Sequence, residues 1–364
     1  MNGEGGGPVT AAAAVERSTV AGADGVPISI AAWRSPGTGA VPPPVVPVAP
    51  PVLLPVLLPV PPPVLLHHGL ASSAGFWGPV ARRLAGGTPA GPSRTVVALD
   101  ARGHGESGRP DDGYDFATVT ADLDAVLGAL GWGGEERASG SMPGSAQGNS
   151  IRPVLVGHSW GGNVVVEYAA RHPAVPAALV LVDGGFIEMQ PDVTWEEAER
   201  RLAPPDRPPI TWDEFVEFAR INRPETGWGA EVQEAVRHNF EELPDGRIRV
   251  RLSRERHMRI LRALYDQRPS RLLPLVRCPV LILPARRPSD DPEERDLAER
   301  RTALVARAEG ILRRSGTPVE VAWFEDTVHD VPIQRPDELV ERIQRFIEGL
   351  PGVPRAPGDP GRGP

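Results

Sequence analysis

Val154-Leu155-Val156-Gly157-His158-Ser159-Trp160-Gly161-Gly162-Asn163-Val164-Val165 decides how the rest of the chain is read. An apolar, β-branched run ends in Gly-His-Ser-Trp-Gly-Gly, and a helix-compatible run then continues to Ala170. The pattern predicts a strand, a tight turn and a helix, with Ser159 at the turn. A serine hydroxyl is a weak nucleophile unless it is held clear of the backbone, beside a base and near N–H donors. Gly157 and Gly161 carry no side chains, so strand and helix can close around a strained residue. A serine at a helix N-terminus also meets free N–H groups and a dipole that favour a developing oxyanion.

Working outward, residues 17–20 and 27–33 flank Ala23-Asp24-Gly25, a turn signal, and read as an antiparallel hairpin. Short buried strands are expected at 64–67, 95–100, 178–183, 278–283 and 319–324, with a possible short strand at 247–252. Helical spacing marks 77–84, 116–130, 195–202, 212–221, 230–240, 254–266, 293–314 and 337–350. Strand–helix alternation implies a mostly parallel sheet covered on both faces, with active residues at the carboxyl ends of its strands. The alternation stops at Phe186 and returns near residue 270. Residues 16–185 and 270–350 are therefore the expected core, and 186–269 an inserted helical cap. Two low-complexity inserts interrupt the core, a proline-rich one at 35–63 and a Gly/Ser-rich one at 133–150. A disordered leader is expected at 1–15 and a disordered tail at 351–364.

The whole-chain properties narrow the function classes. The 364 residues carry a formal net charge of −8 and no dense basic stripe, which disfavours nucleic-acid binding. Cys278 is the single cysteine, so neither an internal disulfide nor a cysteine metal site is available, and a cytoplasmic location is expected. The apolar stretch 41–66 is broken by recurrent proline and cannot hold a helical ladder across a bilayer, so no membrane span is expected. The oligomeric state is not readable from the sequence.

Four stretches, in order, resemble the α/β-hydrolase fold family over roughly residues 16–350. They are His68-Gly69, Asp100-Ala101-Arg102-Gly103-His104-Gly105-Glu106-Ser107, Gly157–Gly161, and Val328-His329-Asp330-Val331-Pro332-Ile333-Gln334-Arg335-Pro336. The resemblance implies an eight-stranded-type α/β sheet flanked by helices, with Ser159 as nucleophile and His329 as catalytic base. It implies an oxyanion hole from the backbone N–H groups of Trp160 and Leu70. Family members usually carry the acid after the strand at 278–283, where this chain reads Pro284-Ala285-Arg286-Arg287-Pro288-Ser289-Asp290-Asp291. The usual glycine is missing there, and Pro288 stands near the expected carboxylate. Asp290 is the first candidate, Asp183 after the preceding strand is the alternative, and Asp291 or no acid remains open. The competing reading of Asp183 is a carboxylate that hydrogen-bonds the turn before the cap.

Trp77, Phe76, Phe186 and Trp160 are candidates to line an apolar substrate pocket, with ordinary core packing as the competing reading. His67 and His68 read as loop-shaping residues rather than metal ligands. Residues 102–107 read as a brace for the loops around the site. His257 and Tyr265 in the cap are weaker pocket candidates. The implied activity is hydrolysis of a small-molecule carboxylic ester, lactone or thioester through an acyl-enzyme, with no metal or organic cofactor. A carbon–carbon bond hydrolase or perhydrolase using the same triad, or a non-catalytic binder on the same fold, are the alternatives.

Overall fold

Runs in which every residue is apolar form strands buried on both faces, and helices supply the cover. The computed structural model describes residues 15–34, 61–133 and 151–353. The expected leader, both low-complexity inserts and the tail lie outside the described residues, apart from a few positions at their edges.

The strands are β1 (Val15–Ala21), β2 (Pro27–Trp33), β3 (Val64–His67), β4 (Val96–Leu99), β5 (Val154–His158), β6 (Ala178–Val182), β7 (Phe240–Glu242), β8 (Ile248–Val250), β9 (Val280–Leu283) and β10 (Val319–Val321). The helices are α1 (Gly78–Gly86), α2 (Phe116–Ala129), α3 (Trp160–Arg171), α4 (Trp195–Leu202), α5 (Trp212–Asn222), α6 (Ala230–Arg237), α7 (Arg254–Asp266), α8 (Pro269–Leu272), α9 (Pro292–Arg314), α10 (Val331–Gln334) and α11 (Pro336–Glu348). Eight strands form one sheet in the order β1-β2-β4-β3-β5-β6-β9-β10. The β1–β2 and β2–β4 pairs are antiparallel, and every other pair in this sheet is parallel. The expected mostly parallel, eight-stranded α/β architecture is therefore present.

Side-chain alternation along the strands divides the interior into two cores. Leu65, Leu155, Leu179 and Leu181 face one layer with α2 and α3. Val64, Leu66, Val154, Val156, Val180 and Val182 face the other, with α1 and α11. Each such buried aliphatic side chain contributes about 1.5–3 kcal/mol relative to exposure. Among the described residues, no helix is long and apolar enough to cross a membrane.

Residues between β6 and β9 form α4 to α8 and a β7–β8 hairpin apart from the main sheet. Thr194, Thr211 and Ser253 cap α4, α5 and α7, each accepting from a backbone N–H in the first turn. The sequence reading of a helix over 230–240 overruns: α6 stops at Arg237, and Phe240 pairs across the hairpin with Val250. Cross-strand pairing overrides the local helical spacing there.

Candidate active site

β5 delivers Ser159 into a sharp turn. Its backbone sits at φ 53°, ψ −123°, and α3 begins at the next residue. A non-glycine residue in such a conformation costs on the order of 1–3 kcal/mol and persists only when its surroundings hold it. The Ser159 N–H donates to the Val182 carbonyl at 3.0 Å, and the Gly162 N–H donates to the Ser159 carbonyl at 2.9 Å. A methyl group at Gly157 would strike the Gly161 carbonyl, and one at Gly161 would strike the carbonyls of His67 and His68. Both glycines are thus required by close approach. Trp160 opens α3, so its N–H has no acceptor within the helix.

His329 lies between β10 and α10. Its Nδ1 is 2.6 Å from Oδ2 of Asp183. Asp183 directly follows β6, is 2% exposed, and has φ 43°. Its backbone N–H donates to the Leu283 carbonyl at 3.0 Å, and its Oδ1 accepts from the Ala285 N–H at 3.1 Å. A carboxylate only accepts, so Nδ1 carries the proton and Nε2 is left as the acceptor of the ring. Arg301 on α9 approaches Asp183 Oδ1 at 3.5 Å.

Asp290, the first candidate from the sequence, does not meet His329. It is exposed, well past the end of β9, and its backbone carbonyl accepts from Arg295. Asp291 caps α9, accepting from the Glu293 N–H at 2.8 Å. The structure joins the alternative, Asp183, to His329. Its bond to Ala285 also means that it braces a neighbouring loop.

Ser159, His329 and Leu70 line two cavities in common. The first has a volume of about 640 Å³ and includes Asp183, Phe186, Leu202, His257 and Leu264. The second has a volume of about 450 Å³ and includes Phe76, Phe215, Trp228 and Phe240. Phe186 and Phe76 therefore stand where pocket residues were expected. Trp77 does not: it is fully buried in the core with Val80, Ala81 and Leu84. The two neighbours fall on one 3-10 turn, Ala74–Trp77, which points them in different directions. The Trp160 ring is likewise buried, against His67, His68 and His104. Tyr265 packs edge-on against Trp195.

Electrostatics around the two groups differ in sign. Burial lowers the basicity of His329, but the Asp183 hydrogen bond and charge outweigh it and hold the imidazole above its ordinary value. Burial raises the Asp183 carboxyl, and the His329 bond and charge, helped by Arg301, bring it below its ordinary value. Both directions favour an ion pair once His329 takes a proton.

His158 was not singled out in the sequence. It is buried, its Nε2 donates to the His329 carbonyl at 2.8 Å, and its ring stacks on Phe76. Burial and the neighbouring His329 push it down to about 4, so it stays neutral. Asn163 on α3 was also missed. Its Oδ1 accepts from Gly185 N–H at 2.9 Å, and its Nδ2 donates to Ile187 carbonyl at 2.9 Å and to Gln267 Oε1 at 2.7 Å. One side chain thus ties both ends of the 186–269 segment to the helix that carries the serine. A buried polar residue on an apolar helix was the available signal.

The loops beneath are braced by polar contacts. Arg102 is fully buried and makes a two-pronged pair with Asp122 at 2.7 and 2.8 Å, plus bonds to Asp24. Removing one partner of such a pair costs about 3–5 kcal/mol. His67 and His68 bond to backbone groups, His68 Nε2 accepting from the Ala101 N–H at 3.0 Å. Among the described residues, no three His, Cys, Asp or Glu side chains group so as to hold a metal ion.

Residues 64–342, more than half of the chain, match the alpha/beta hydrolase family. A 2-(acetamidomethylene)succinate hydrolase from Mesorhizobium japonicum is 30% identical over 120 residues, 33% of this chain and 34% of that protein. A monoacylglycerol lipase from Mycolicibacterium smegmatis is 32% identical over 119 residues, 32% of this chain and 36% of the lipase. The matched stretch spans only about a third of the length of these curated relatives. The crystal structure of an E-2-(acetamidomethylene)succinate hydrolase superposes with a TM-score of 0.64 at 18% identity, covering 92% of this chain and 100% of that one, and is similar in fold.

Proposed function

The chain belongs to the alpha/beta hydrolase family, and from that premise we propose that it is a serine hydrolase of small carboxylic esters, lactones or thioesters. Ser159 Oγ attacks the substrate carbonyl carbon and gives its proton to His329 Nε2. Asp183 holds the imidazole in the required tautomer and stabilises the cation that forms. The N–H groups of Trp160 and Leu70 receive the oxyanion. The tetrahedral species collapses as His329 returns the proton to the leaving oxygen or sulfur, and an acyl-enzyme remains on Ser159. Water, deprotonated by His329, then repeats the sequence and frees the acid.

The observation that carries this reading is the 2.6 Å His329–Asp183 bond on the wall of cavities shared with the turn residue Ser159. The 186–269 segment acts as a cap, since Phe186, Leu202, Leu261 and Leu264 supply apolar wall above the serine. No step calls on a cofactor. A cytoplasmic setting belongs to the same proposal and is compatible with the single buried thiol of Cys278. The test is labelling with a fluorophosphonate. Wild-type protein is expected to take one label, lost in Ser159→Ala with the fold intact; unlabelled folded wild type would overturn the reading.

A further inference from the structure

The two cavities that share Ser159, His329 and Leu70 differ in chemistry. The larger is walled chiefly by aliphatic side chains, among them Ile187, Met189, Leu202, Leu261, Leu264 and Leu304. The smaller has five Phe or Trp residues among its 21 lining residues: Phe76, Phe215, Phe218, Trp228 and Phe240. The chain as a whole is only 5% aromatic, so rings are concentrated at this place. Several of these rings pack against one another or against a neighbouring imidazole. Phe215 meets Trp228 nearly at right angles with centroids 5.8 Å apart, and meets Phe240 at 4.6 Å. Phe76 is fixed by its stack on His158 at 5.3 Å. Edge-to-face and offset contacts at such separations are those that aromatic pairs prefer.

Charged groups at the two cavities are mostly engaged by the protein itself. Arg223 pairs with Asp330 at 2.5 Å, and Arg207 lies over the Phe218 ring at 4.4 Å. In the larger cavity, Arg201 pairs with Glu197, Arg300 with Asp296, Arg301 with Asp183 and Arg307 with Glu188, which Ser270 also holds, and Asp192 is an exposed carboxylate at the wall. Little charge is therefore left to select an ionic substrate. Volumes of about 640 and 450 Å³ each fall within the range of small-molecule pockets.

We propose that the site takes a neutral ester with an aromatic ring on one side of the scissile carbonyl and an aliphatic chain on the other. The proposal rests on the serine-hydrolase reading. The ring enters the chamber of Phe76, Phe215, Trp228 and Phe240, the chain enters the aliphatic chamber, and the carbonyl lies at their junction over Ser159.

The test compares kcat/KM for benzyl hexanoate, hexyl phenylacetate and the ring-free hexyl hexanoate, all of which release a primary alcohol, so that leaving-group reactivity is matched. The better of the two aryl esters is expected to exceed hexyl hexanoate by about tenfold or more, the low end of what one group in a hydrophobic pocket yields. Phe215→Ala removes the central ring. Asn222→Trp fills the chamber from an exposed rim position and does not depend on core repacking. In each variant that unfolds cooperatively, the aryl-to-alkyl ratio is expected to fall to within about threefold of unity, as the ring loses its apolar contacts. Hexyl hexanoate turned over as well as both aryl esters, or a ratio that survives in both folded variants, overturns the proposal. Fluorophosphonate labelling separates the two levels: a labelled enzyme without aryl preference sinks the chamber assignment alone, while an unlabelled one sinks the serine-hydrolase reading and this proposal with it.

Discussion

The loop leaving β6 and the loop leaving β9 start from neighbouring parallel strands and both carry aspartates, yet only the first turns a carboxylate inward. Asp183 follows immediately on its strand. The neighbouring strand β9 and its exit hold it twice, through its N–H on Leu283 and its Oδ1 under the Ala285 N–H. The second loop keeps its ladder only to Ala285, which bridges to Phe324, and then runs outward. Arg286 pairs with Glu325 and Arg287 with Glu225 and Glu294, all at the surface. Asp290 and Asp291 serve the start of α9. A carboxylate at the strand end inherits the precision of the sheet, whereas one several residues on is free to follow the helix.

Exchanging the carboxylates for amides breaks this comparison most sharply. Asp183→Asn is expected to lower kcat for a p-nitrophenyl ester by about 10⁴-fold, because the amide no longer selects the tautomer or stabilises the cation. Asp290→Asn in the same assay is expected to stay within about twofold, since its carboxylate is exposed and bonds to no side chain among the described residues. Steady-state kinetics decide it; comparable losses in both would erase the distinction. The pH profile sharpens it further. His329 must be neutral to accept a proton, and Asp183 holds its pKa above the usual 6.5. Activity should therefore rise with pH through a limb above 6.5, and the residual limb in Asp183→Asn should move to lower pH.

A smaller effect belongs to the buried histidines around the inner loops. His67, His104 and His158 are each held down to about 4 by burial. An unfolded chain protonates them near 6.5, so their contribution is complete above that pH and lost as pH falls from 6.5 to 4. His329 works in the opposite sense: its contribution is present below 6.5 and lost as pH rises through its raised value. Burial shifts His68, His238 and His257 the same way, so six groups outweigh one, and Tm by scanning calorimetry is expected to drop by more than about 5 °C between pH 7 and pH 4.5. A flat Tm would contradict this. Smallest of all, Asp291→Ala is expected to cost about 1 kcal/mol in denaturant unfolding through the lost cap, with turnover unchanged.

Much of this molecule is legible in local sequence. The β5 run, its glycines and Ser159 declare a turn whose strain is visible in the final φ and ψ. The β6 and β9 runs are short, apolar throughout and bounded by turn residues, and β3 is apolar up to His67, so they read as buried strands. What the sequence hid depends on direction and neighbours. Whether Asp183 or Asp290 meets His329 is settled by which loop the adjacent strands hold in place, a tertiary fact. Phe76 and Trp77 are adjacent, and composition gives no sign that one faces a cavity and the other the core. The helical spacing at 230–240 is genuine, but Phe240 gains more from pairing with Val250 than from another helical position. His158 and Asn163 act by holding other residues' backbones, a role that no residue-type pattern announces.

The claim on which the rest stands is that the hydroxyl of Ser159 becomes acylated during turnover. Acid quenching within milliseconds of mixing with p-nitrophenyl ester, followed by peptide mass analysis, reads this directly. The account predicts an acyl adduct on the peptide bearing Ser159, accumulating further in Asp183→Asn if deacylation slows more than attack. Sustained ester turnover with that peptide unmodified, or with the adduct on another residue, would contradict it.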